Sequence, residues 1–131
     1  MSIGYHGFTK LFSEDDSFVY YAYSGANFND LTRDKEADHY YDGRFRINKD
    51  IIKRIEMIPE EDYPYISWTH IAIKEGFLII DRECQNAFYK ADGSEYPLDY
   101  IIYRLLYNIF KKIYEMKEEP KTFPEEAAFI Q

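Results

Sequence analysis

Residues 98–116 read LDYIIYRLLYNIFKKIYEM. Leu98, Ile101, Ile102, Leu105, Ile109, Ile113 and Met116 recur at spacings of three and four, with Arg104, Asn108, Lys111, Lys112 and Glu115 between them. That is the period of a helix with one apolar stripe, so a long amphipathic helix is expected here. Pro97 suits its first turn, Asp99 favours the positive end of its dipole, and Lys111, Lys112 and Lys117 favour the negative end. An apolar stripe of this length must be covered, and the rest of the chain has to supply the cover.

Working outward, that cover reads as β-structure. Tyr5 to Phe12 and Phe18 to Ser24 are aromatic, β-branched runs separated by the polar cluster Ser13-Glu14-Asp15-Asp16-Ser17, a hairpin signal. In the second run Phe18, Tyr20, Ala22 and Ser24 share one face and Val19, Tyr21 and Tyr23 the other. Both faces are bulky, as in a strand that is covered on both sides or carries a binding face. Residues 25–43 hold six Asn and Asp with little apolar periodicity and read as a long surface connection with one or two helical turns at most. Arg44 to Ile47 is a short strand with its arginines on one face. Ile51 to Ile58 fits either element: Ile51, Ile52, Ile55 and Ile58 suit a helix, Ile51, Ile55 and Met57 one side of a strand, and the reading favours the strand. Ile66 to Ile73 and Phe77 to Asp81 flank Lys74-Glu75-Gly76 as a second hairpin would. The class expected is therefore α+β, with an antiparallel sheet of about five to six strands and the long C-terminal helix packed on one face. One domain spans residues 1–131, and residues 118–131 form either a docked arm or a loose end.

Composition narrows the function classes. The 131 residues include 14 Tyr, 10 Phe and 1 Trp, more large rings than a small core can hide, and the net charge is −8 with a pI near 4.9. Such a chain repels phosphate backbones, which argues against nucleic acid and for a basic partner. No stretch approaches the ~18–20 apolar residues of a membrane span, the N-terminal MSIGYHGFTK lacks an apolar leader, and Cys84 has no disulfide partner, so a cytoplasmic location is expected.

Catalytic and metal chemistry finds little purchase. Asp34, Asp38, His39 and Asp42 could offer hard ligands, yet the spacing of a calcium loop is lacking, and His6, His39, His70 and Cys84 do not make a zinc pattern. Neither a metal nor a cofactor is expected. A Cys84 nucleophile with His70 as base is the remaining enzymatic option, without a local signature around Cys84. Binding features are richer. The acids gather in loops at Asp15 and Asp16 and at Glu60, Glu61 and Asp62, beside Tyr21, Tyr23, Tyr63, Tyr65 and Trp68. Aromatic rings dominate interface hot spots and acidic rims steer a cationic partner, so these ten residues are the candidate partner-binding set. The alternative is a homo-oligomer, a homodimer for instance, that buries the same rings against copies of itself.

In size, acidity and aromatic excess, in the stretch Tyr23-Ser24-Gly25-Ala26-Asn27-Phe28-Asn29-Asp30 followed by Tyr41-Asp42-Gly43, and in a C-terminal helix leading to Phe123-Pro124-Glu125, the chain resembles small α+β immunity proteins of bacterial toxin competition systems. The resemblance implies a non-enzymatic role: tight binding to one cognate toxin, often a nuclease with a basic cleft.

Overall fold

The computed structural model describes residues 4–87 and 98–130. The two aromatic, β-branched runs form β1 (Tyr5–Glu14) and β2 (Phe18–Asn27), joined by the expected tight connection and paired antiparallel from Tyr5↔Asn27 to Glu14↔Val19. β3 (Gly43–Asn48), β4 (Leu78–Arg82) and β5 (Glu126–Ile130) complete one open antiparallel sheet in the order β4-β3-β2-β1-β5. Among the described residues three α-helices accompany it: α1 (Ile51–Glu56), α2 (Pro64–Lys74) and α3 (Tyr100–Glu115). The tail is docked, because residues 126–130 pair with β1 from Lys10↔Glu126 to His6↔Ile130.

Two expected strands are helices. At 51–58, a strand would turn Ile52 and Ile58 away from Ile51 and Ile55. The helix turns Ile51, Ile52 and Ile55 to the core, with Ile51 and Ile55 buried and Ile52 packed against it, and Ile58, just past the helix cap, packs there as well. Residues 66–73 belong to α2, whose buried positions Tyr65, Trp68, Thr69 and Ala72 have a helical spacing; Pro64, also buried, stands in the first turn, and the Thr69 hydroxyl donates to the Tyr65 carbonyl at 2.8 Å. Lys74-Glu75-Gly76 is accordingly a helix-to-strand turn instead of a hairpin. Gly76 sits at φ +78 just past the helix cap, a conformation that glycine adopts without strain.

The 98–116 periodicity yields α3, shorter than expected at 16 residues. Asp99 caps it by accepting the Ile101 N–H at 3.0 Å. Pro97, expected in its first turn, lies outside the described residues. Ile101, Ile102, Leu105, Leu106, Ile109, Phe110 and Ile113 are all fully buried, and they meet Val19, Tyr21, Tyr23, Phe45, Ile47 and Phe129 in one core. Gly7 and Gly25, cross-strand partners, let Ile101 approach so closely that a Cβ at either would stand within about 3 Å of it.

The opposite sheet face is treated differently along its length. Residues 28–42, with a 3-10 turn at Lys35–His39, cover its upper half, so Ser24, Ala26 and Ala37 are buried there. Arg33 grips Asp38 through Nε and Nη2 at 3.0 and 2.9 Å, and Asn86 donates to the same carboxylate at 2.9 Å, tying this segment to the chain after β4. The lower half stays open. Among the described residues no helix is long and apolar enough to cross a membrane.

Candidate functional site

The α1–α2 connection carries the acidic cluster Glu60-Glu61-Asp62, all three exposed, and ends on Tyr63. Tyr63 adopts φ 54 and ψ 54, left-handed backbone that costs a residue with a Cβ about 1 kcal/mol. Its ring is 65% exposed, and Pro64 immediately fixes the chain into α2. The strain is thus kept for a residue that contributes little burial.

Behind Tyr63 the rings interlock. Tyr63 meets Tyr65 edge-on at 6.1 Å; Tyr65 meets Tyr107 at 4.9 Å and Tyr114 at 6.0 Å; Trp68 meets Tyr114 at 5.9 Å and Phe110 at 6.3 Å. Edge-to-face packing of this kind holds rings in place beyond what area burial does. The outer members, Tyr63 and Tyr114, are exposed, while Tyr65 and Trp68 are buried and act as their footing. Burial, with the Tyr107 hydroxyl next, raises the Tyr65 phenol above its ordinary pKa. An open cleft of about 390 Å³ lies between α2 and α3, lined by Asp62, Tyr63, Tyr65, Lys111, Tyr114 and Glu115. Tyr114 and Glu115 were not singled out from the sequence, since on α3 they occupy the polar face and look like ordinary solvent-facing residues.

The other expected contact residues lie elsewhere. Tyr21 and Tyr23 are fully buried core residues and present no surface to a partner. The Tyr21 hydroxyl donates to the Pro124 carbonyl at 2.7 Å. The Tyr23 hydroxyl donates to Asp99 Oδ2 at 2.9 Å and accepts the Cys84 N–H at 2.9 Å, so one phenol joins β2, the chain after β4 and the cap of α3. Burial drives both phenol pKa values well above the ordinary range. Asp15 and Asp16 are exposed in the β1–β2 turn. The Asp15 carboxylate is already engaged: it accepts the Tyr20 hydroxyl at 2.6 Å and the N–H groups of Ser17 and Phe18 at 2.8 Å, which together hold its pKa below the usual carboxylate range. It shapes the turn. No hydrogen bond, ion pair or ring contact among the described residues joins this turn to Glu60–Tyr63; its neighbour is Lys49, which pairs with Glu14 at 2.7 Å.

The acids considered for metal binding have separate tasks. Asp34 caps the 3-10 turn by accepting the Glu36 N–H, Asp38 pairs with Arg33, and Asp42 accepts the Gln85 N–H. Among the described residues no three acidic, His or Cys side chains converge as ion ligands. Cys84 is buried, and burial, reinforced by the Asp99 charge, pushes its thiol up to about 12, so it is protonated near neutral pH. His70 lies on α2 at 3.3 Å from the Tyr103 hydroxyl.

No protein-family model matches the chain, no curated protein matches its sequence, and no solved structure matches its fold.

Proposed function

We propose that the chain is a non-enzymatic protein-binding module that neutralises a basic partner, in the manner of an immunity protein blocking a basic toxin such as a nuclease. The observation that carries this reading is Tyr63, an exposed ring in strained backbone, placed between three exposed carboxylates and a helix-starting proline. A rigid aromatic anchor with an acidic rim has the composition of a hot spot for a cationic surface: the ring supplies contact area at little entropic cost, and the carboxylates raise the encounter rate. Tyr114 and Glu115 extend the same surface onto α3. The whole-chain charge of −8 adds long-range attraction for a basic protein.

The test is affinity capture from lysate of the source organism with two baits, the wild-type chain and a variant combining Glu60→Gln, Glu61→Gln, Asp62→Asn and Tyr63→Ala. A basic protein retained by the first, released by salt and absent from the second is the expected result. Identical captures from both baits, or none from either, would reject this surface as the binding site.

A further inference from the structure

The uncovered half of the outer sheet face has the opposite chemistry to the α1–α2 connection. Lys10 of β1 stands 4.7 Å over the Tyr41 ring, Arg44 of β3 stands 5.1 Å over Phe12, and Arg46 stands 4.8 Å over Phe18. Phe12 is placed there by a bulge: Leu11 pairs with Tyr21 and Ser13 with Tyr20, so Phe12 is the extra residue, 56% exposed and 6.3 Å from the Tyr20 ring. Acids outnumber bases by 24 to 16 in this chain, yet Lys10 and Arg44 have no carboxylate within ion-pair distance among the described residues. Arg44 instead donates to the carbonyls of Tyr41 and Gly43, and Arg46 faces Asp81 at 3.5 Å.

Cations laid on rings are held in place before any ligand arrives, so less side-chain entropy is lost when they are engaged. Arg44 and Arg46 are two residues apart on one face of β3, about 6.6 Å along the strand, which is also the repeat of alternate side chains in an extended peptide. We infer that this face, formed by Lys10, Phe12, Phe18, Tyr20, Arg44 and Arg46, docks an extended acidic segment of a partner protein whose alternate carboxylates meet the two arginines. Charge complementarity selects the occupant. A nucleic acid fits less well, because the cations already cover faces of Phe12, Phe18 and Tyr41 on which bases would stack, whereas an acidic peptide needs only the cations.

The experiment is a titration of the 15N-labelled full chain with three probes: an alternating Glu-Val decapeptide, an alternating Lys-Val decapeptide and a ten-nucleotide oligo-dT. The expected result is that the Glu-Val peptide shifts amides of Phe12, Tyr20, Arg44 and Arg46, and that the Lys10→Gln/Arg44→Gln variant, folded by circular dichroism, binds it about tenfold more weakly. If that variant loses its fold, Lys10→Gln alone, on an exposed side chain, is expected to weaken binding about threefold. Absence of shifts at millimolar peptide, shifts confined to other residues, or unchanged affinity in the folded variants would overturn the inference. So would tighter binding of oligo-dT to the same residues, which would make the face a nucleic-acid platform, or self-association abolished by the same variants, which would make a second copy the occupant. The Lys-Val peptide reads the Glu60–Tyr63 surface, so failure there leaves this result intact and the reverse also holds.

Discussion

Asn108 of α3 donates its side-chain amide to the carbonyl of Ala128 in β5 at 2.8 Å. One turn later Lys112 donates to Glu126, two residues back along the strand, also at 2.8 Å. Four helical residues rise about 6.0 Å and two strand residues span about 6.6 Å, so the two ladders match. β5 is an edge strand whose outward carbonyls would otherwise be available to another chain. The Asn108→Ala/Lys112→Ala variant is therefore expected to lose about 1–2 kcal/mol in urea unfolding and to self-associate in light scattering at concentrations where the wild type does not.

The Tyr23 phenol satisfies two buried groups at once, Asp99 Oδ2 and the Cys84 N–H. Tyr23→Phe keeps the ring and removes the hydroxyl, leaving both without that partner. The expected loss is about 2–3 kcal/mol by chemical denaturation, with far-ultraviolet circular dichroism unchanged. A loss below 0.5 kcal/mol, on the order of a neutral surface change, would show that the phenol is not a structural link.

Tyr63 makes an opposite expectation. Tyr63→Gly relieves the left-handed backbone, which favours the fold by about 1 kcal/mol, while glycine's freedom in the unfolded chain offsets part of it. Thermal unfolding should therefore show the variant at least as stable as the wild type, although it has lost a large ring. A drop of about 2 kcal/mol would instead mark Tyr63 as part of the core.

Alkaline pH should unfold the protein early. The Cys84 thiol moves from an ordinary 9.0 to about 12 on folding, and the Tyr21 and Tyr23 phenols rise from 10.0. Raised pKa values mean that the native state holds protons the unfolded chain has released, so this contribution is complete below pH 9 and is lost as pH rises from there. Each such group lowers stability by about 1.4 kcal/mol per pH unit. Urea midpoints measured from pH 7 to 11 are expected to be flat and then to fall above pH 9, and Cys84→Ala should reduce the slope of the fall.

What was legible in the sequence followed how local each signal was. The α3 stripe has seven apolar positions in phase, enough to outvote any other period, and the β1–β2 hairpin has a polar break between two alternating runs. Ile51 to Ile58 and Ile66 to Ile73 are short and rich in β-branched residues. Propensity favoured strands there, and packing of Ile51, Ile55, Trp68 and Ala72 into the shared core overrode it. The tyrosines were harder still. Tyr23 and Tyr63 look alike in an aromatic-rich acidic chain, and only their neighbours separate a buried link from an exposed anchor.

The sequence by itself determined the α+β class, the acidity, the amphipathic α3 and the two arginines on one face of β3, because period and charge are properties of neighbouring residues. Tertiary structure alone decided that the tail is β5, that Tyr21 and Tyr23 are interior, that Asp62 and Tyr63 line one cleft with Tyr114 between α2 and α3, and that Phe12 lies under Arg44. Those are contacts between residues far apart in the chain, and no local pattern records which surfaces the core leaves outside.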